Sequence, residues 1–175
     1  MYFQKINIPD PVWHLDGIDF PEPSYLLNER HYRNVEDIMP KDLIEKFSKI
    51  DLVPQLIRIF IWPNNKCGIW HHDGNVATGR NVALNWVLQG SGVIQFNTEM
   101  AKTMAPMRGV HLGKVGNLSD KVDAETLGHG CIINTALPHR VVTGSEGRTT
   151  ISLAYTHKDI PFLEMVEKFR QINII

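Results

Sequence analysis

Cysteine is scarce: Cys67 and Cys131 are the two in 175 residues. They form no Cys-x-x-Cys pair and are too few for a disulfide framework. Both read as small core residues in a reduced, cytoplasmic protein. An excess of one charge sign is missing as well: 18 Lys+Arg face 19 Asp+Glu, a formal charge of −1. No whole-chain field draws such a protein to nucleic acid or to an anionic membrane. No run of about 18 apolar residues occurs, so no transmembrane helix is expected. The opening Met1-Tyr2-Phe3-Gln4-Lys5 lacks the basic start and apolar stretch of a secretory signal. Internal repeats and low-complexity tracts are absent. No glycine-rich nucleotide loop, P-loop or Gly-x-Ser-x-Gly elbow appears, and no Ser sits in a nucleophile-like turn.

What is present fits an ordinary globular chain, with 43% hydrophobic and 21% charged residues. One domain over 1–175 is expected, large enough for a core without staples. Residues 1–34 carry Pro9, Pro11, Pro21 and Pro23, which argue against regular pairing there. Pro40 opens a helical pattern near 40–50, with Leu43, Ile44, Phe47 and Ile50 on one stripe. A second helix is expected near 160–172, capped by Asp159, with Pro161 in its first turn and a stripe of Phe162, Met165, Val166 and Phe169. The divisions are an N-terminal segment and helix over 1–53, a β core over 54–157 and a C-terminal helix over 158–175.

The middle of the chain reads as strands. Leu56 to Trp62 is apolar on both faces except at Arg58 and suits a central strand. Asn81–Gln89 and Val93–Phe96 flank Gly90-Ser91-Gly92, a hairpin signal. Cys131–Thr135, Val141–Thr143 and Thr149–Thr156 follow, the last two joined by a Gly-containing turn that reverses the chain. Short strands with helices only at the ends point to a mainly β sandwich or barrel of jelly-roll type.

Eight His direct the search for chemistry. In extended chain, residues two apart share a side. Within Trp70-His71-His72-Asp73, His71 and Asp73 therefore converge while His72 points away. His139, in Leu137-Pro138-His139-Arg140, is the candidate third ligand. Two His and one carboxylate form the facial triad that leaves positions open on non-haem Fe(II). Arg148 begins a strand on which Arg148, Thr150 and Ser152 share one face. An Arg turned into a barrel demands an anion, and a carboxylated cosubstrate would satisfy it with two parallel hydrogen bonds.

The order His71-x-Asp73, His139, Arg148 resembles the Fe(II)- and 2-oxoglutarate-dependent dioxygenases, across roughly Leu56 to Tyr155. The resemblance implies a double-stranded β-helix (jelly roll, cupin-like), iron on His71, Asp73 and His139, and 2-oxoglutarate held by Arg148 with Ser152 beside it. The stretch His71 to Leu88 is similar to the aspartyl/asparaginyl β-hydroxylase branch, which adds Arg80 as a second cosubstrate anchor. Asp73 departs from that branch's first enzymes, which lack the metal-binding Asp, and Val82 stands where the branch often has a His. The implied activity is hydroxylation of a C–H bond in a small-molecule or peptide substrate, consuming O2 and releasing succinate and CO2. The alternatives are a metal-binding cupin of another reaction class and a non-catalytic jelly-roll ligand-binding module. Neither the substrate nor the oligomeric state follows from the sequence.

Overall fold

The computed structural model describes residues 3–8, 11–17, 28–73, 81–97, 122–126, 130–155 and 160–175, with the backbone alone given for 28 and 122–126. Among the described residues seven strands and two α-helices follow one another: β1 (Phe3–Lys5), β2 (Asn28–Tyr32), α1 (Lys41–Ser48), β3 (Leu56–Trp62), β4 (Val82–Asn97), β5 (Val122–Thr126), β6 (Cys131–Asn134), β7 (His139–Ala154) and α2 (Phe162–Gln171). All pairings are antiparallel, in the order β1-β6-β4-β7-β3-β2, with β5 on β4. The fold is mainly β, one antiparallel sheet with two helices.

Both helices begin at a proline. Pro40 and Pro161 stand just before α1 and α2. The fixed φ of proline suits that position, and its missing N–H has no intrahelical partner to lose. The carbonyl of Pro40 accepts from the amides of Leu43 and Ile44 at 3.1 Å each. Asp159, expected to cap α2, lies outside the described residues.

β3 alternates in burial along its whole length. Ile57, Ile59 and Ile61 join Val82, Leu84 and Trp86 of β4, Ile132 of β6 and Ile151 and Leu153 of β7 in one apolar cluster. The inner faces of α1 and α2 close that cluster through Leu43, Phe47, Met165 and Phe169. Phe47 and Phe169 meet edge to face, with ring centroids 5.1 Å apart. The opposite face of the sheet lines a cavity of about 490 Å³.

Four expectations from the sequence are corrected. Residues 81–97 are not a hairpin, because β4 runs straight through Gly90-Ser91-Gly92. Likewise the strands at 141–143 and 149–154 do not lie side by side. They are two halves of one strand, β7, and both pair with β4. The glycines serve facing irregularities rather than reversals. Register is lost between Val87 and Gln89 and again between Gly90 and Gly92. Gly90 (φ +77°) and Gly147 (φ +68°) are left-handed there, and a Cβ on Gly90 would collide with the Gly147 carbonyl. Bulges of this kind bend a strand, so β4 and β7 each serve two walls of the cavity. The N-terminal stretch is also more regular than its prolines suggested: β1 pairs with β6 and β2 with β3. Finally, Cys131 is buried but Cys67 is exposed, on the segment that bridges β7 at Val142.

Candidate metal centre

The segment after β3 is held on β7 by a ladder of backbone hydrogen bonds. The amide of Gly68 donates to the Val141 carbonyl at 2.7 Å, and the amide of Thr143 donates to Lys66 at 2.8 Å. His71 and His139 exchange both bonds, at 3.0 and 2.8 Å, and the Asp73 amide donates to Thr135 at 2.8 Å. Extended backbone pinned in this way sends His71 and Asp73 to one side.

The three side chains meet there. One donor atom from each of His71, Asp73 and His139 lies within 4.8 Å of the others. His71 Nε2 is 3.6 Å from an Asp73 carboxylate oxygen, and the two imidazole centroids are 4.4 Å apart. Donor atoms that each sit about 2.0–2.2 Å from one ion stand no more than about 4.4 Å apart, so the three side chains would close in slightly on a metal. The tautomers also fit. His71 Nδ1 is 3.0 Å from the Ile69 carbonyl, and His139 Nδ1 is 2.8 Å from the Leu137 carbonyl. A carbonyl only accepts, so both Nδ1 atoms carry the hydrogen and both Nε2 lone pairs face the cavity. His139 is buried, and burial, helped by the neighbouring His71, lowers its pKa to about 4 against a pull upward from Asp73. Its imidazole is thus neutral at ordinary pH, the form that binds metal.

Arg148 lines the same cavity with only 3% exposure. Its Nε donates to Thr150 Oγ1 at 2.8 Å. One terminal nitrogen has no hydrogen-bond partner among the described residues. Burial, partly offset by Cys131, lowers its pKa to about 10, so it remains a cation at neutral pH. Ser152 lines the cavity too, on β7 opposite Arg58 of β3. Arg80 lies outside the described residues, as do His111, His129 and His157.

His72 is buried and lies off the cavity lining. Trp70 is also buried away from the cavity. The Arg140 guanidinium rests 4.4 Å from its ring centre and donates to Gln95 Oε1 at 2.7 Å. Thr150 is a residue the sequence reading placed on the right face but gave no task; its hydroxyl orients the guanidinium two residues before it. The signal was available in the Arg-x-Thr spacing on one strand face.

No family model matches the chain, and no curated protein matches it. Among solved structures, AviO1 from Streptomyces viridochromogenes is similar with a TM-score of 0.46 and 18% identity, covering 88% of this chain and 76% of that one. Vicilin from hazelnut, Corylus avellana, gives 0.43 and 10%, covering 79% of this chain and 32% of its own. An oxidoreductase of the 2OG-Fe(II) oxygenase family from Burkholderia pseudomallei gives 0.41 and 9%, covering 62% of this chain and 47% of its own. The chain thus spans about a third of that vicilin and about half of that oxygenase, and at these scores neither its chemistry nor its partners follow from them.

Proposed function

We propose that the cavity is the active site of an Fe(II)- and 2-oxoglutarate-dependent oxygenase that hydroxylates a C–H bond. One observation carries the reading: a buried guanidinium with one terminal nitrogen unpartnered among the described residues shares a cavity with two His and one carboxylate. Each part alone has ordinary explanations. Together they match a dicarboxylate that meets a metal at one end and a cation at the other.

His71, Asp73 and His139 would hold the iron, the two Nε2 lone pairs being set by the carbonyls behind them. Iron with 2-oxoglutarate supplies the reaction in which O2 and 2-oxoglutarate become succinate and CO2 while a substrate C–H becomes C–OH. Arg148 would bind the distal carboxylate through its terminal nitrogens, and Thr150 would keep the guanidinium turned to it. Burial strengthens that pairing, because charges attract more strongly away from water. Ile94 and Ile133 on the cavity wall would exclude water from the reacting centre.

The test is anaerobic titration of Fe(II), then of 2-oxoglutarate, followed by succinate measurement in air. The expected result is one equivalent of metal, 2-oxoglutarate binding that depends on it, and succinate release. Absence of metal binding overturns the reading. Metal binding without 2-oxoglutarate binding or turnover would move the protein to a metal cupin of another reaction class.

A further inference from the structure

Asn85 is a polar side chain on β4 that neither the metal nor the cosubstrate uses. It lines the cavity, and its Oδ1 is buried with no hydrogen-bond partner among the described residues. A side-chain amide carries an acceptor and two donors, and leaving a buried one unmet is costly. The last torsion of an Asn side chain turns easily, so either end of the amide can be presented to the cavity. Opposite it on β7 stands Ser152, with 4% exposure and also on the cavity wall. Arg58, next along the same row, is already engaged: one of its terminal nitrogens is 3.4 Å from Glu29 Oε1 on β2.

The register sets Asn85 apart from the cosubstrate anchor. Arg148 stands at the bend of β7, opposite Gly90. Ser152, with Asn85 opposite it, lies four residues beyond Arg148, and His139 lies four residues from Thr143 on the other side of the bend. At about 3.3 Å per residue both are roughly 13 Å from the bend. Asn85 is therefore level with the metal ligands, and Arg148 lies below them. The neighbouring wall is aromatic. β3 turns Phe60 and Trp62 to the cavity, opposite Thr150 and Arg148 respectively. β7 alone separates β4 from β3, so those two strands are about 9–10 Å apart. Between Asn85 and Phe60, β7 presents only the small Ser152 and Thr150.

These features describe a ligand. Asn85 and Ser152 are uncharged, so a neutral polar group satisfies them without stranding an ion away from water. A side-chain amide is matched at both atoms by a group that offers N–H and C=O side by side. An open-chain secondary amide is trans and holds the two on opposite sides; a ring holds them on the same side. A flat ring also suits the gap beside Phe60. We propose that Asn85 receives the edge of a neutral, flat ring amide, its N–H on Oδ1 and its C=O on Nδ2, with the face of the ring towards Phe60. Hydroxylation of that ring or of its substituent rests on the oxygenase reading, whereas the binding does not.

The experiment is calorimetry with uracil and 2-pyridone as probes, beside 1,3-dimethyluracil and N-methyl-2-pyridone, on metal-free protein and on protein loaded with Mn(II) and 2-oxoglutarate. At least one N–H probe should bind with Kd at or below about 1 mM. Its N-methyl counterpart, which cannot donate, should bind at least about tenfold more weakly, as a buried acceptor left unmet requires. Asn85→Leu should lose the same factor for the N–H probe, bind the N-methyl probe within about threefold of the parent, and keep 2-oxoglutarate affinity within about threefold. The N-methyl comparison uses the unchanged protein, so it decides the matter even if the variant folds poorly. No binding of either N–H probe to either form overturns the proposal, as does equal binding of N–H and N-methyl probes. Loss of 2-oxoglutarate binding in Asn85→Leu would assign the residue to the cosubstrate and overturn it as well. If metal and 2-oxoglutarate bind while the probes do not, the oxygenase reading stands alone. Selective binding of an N–H probe to a protein that takes no metal would keep this site and discard the oxygenase reading.

Discussion

At the scale of single residues, side-chain placement follows from the sequence where local geometry is simple. Alternation in extended chain is enough to pair His71 with Asp73, and the structure brings His139 to them. Residues whose role depends on what lies above them were not legible. Cys67 looked like core because free cysteines usually are, yet it is exposed on the segment bridged to β7. Arg58 looked like an interruption in an apolar strand; only the pairing with β2 reveals Glu29. Arg148 yields a prediction. Its guanidinium is buried with one donor unpartnered among the described residues, which costs stability in the empty protein. Arg148→Met should abolish 2-oxoglutarate binding, leave metal binding intact, and raise Tm by about 2–4 °C, equivalent to about 1 kcal/mol. Differential scanning fluorimetry beside metal and cosubstrate titration would check it, and a lower Tm would show that the guanidinium is already satisfied.

At the scale of elements, α1, α2 and β3 could be read because each has one strong period, 3.6 or 2, between clear stops. The edge strands could not. β2 is Asn-Glu-Arg-His-Tyr, with no apolar alternation, and it exists because β3 offers it a partner. β1 has three residues, too few for any period. The two long strands were cut in half for a physical reason: glycine at positive φ marks hairpins and bulges alike, and only the pairing partner distinguishes them. Gly147→Ala is the corresponding test. The new Cβ would stand 2.6 Å from the Trp62 carbonyl at a φ of +68°. Strain and overlap together should cost roughly 2–4 kcal/mol. Gly17→Ala, at φ +78° with nothing within 4 Å among the described residues, should cost about 1 kcal/mol, from strain alone. Chemical denaturation of the pair separates collision from conformational strain.

At the scale of the molecule, the sheet divides the work between its faces. One face packs against both helices, and the other holds the cavity. Perturbing the first should leave the second able to bind. Phe47→Ala removes a fully buried ring from the contact between α1 and α2 and should cost about 3–5 kcal/mol of unfolding free energy. Metal affinity of the still-folded fraction should stay within about threefold, as for distant sites that share no partner. Equilibrium denaturation with a parallel metal titration reads both, and a large loss of affinity would mean that the helices tune the site directly.

The bulge between Thr143 and Arg148 has a consequence for parity. His139 and Arg148 are nine residues apart, an odd number, so an unbroken strand would point them to opposite faces. Both nonetheless line the cavity. Between Thr143 and Arg148, β7 takes five steps while β4 takes two, from Gly92 to Gly90. The surplus of three is odd, and it reverses the inside–outside phase of everything that follows. Ser145 and Glu146, exposed at the tip of this excursion, are therefore a counting device as well as a loop. Removing both would leave an odd surplus and keep the metal ligand and the buried cation facing each other's cavity. Removing either one alone would restore even phase and turn one of them out into solvent.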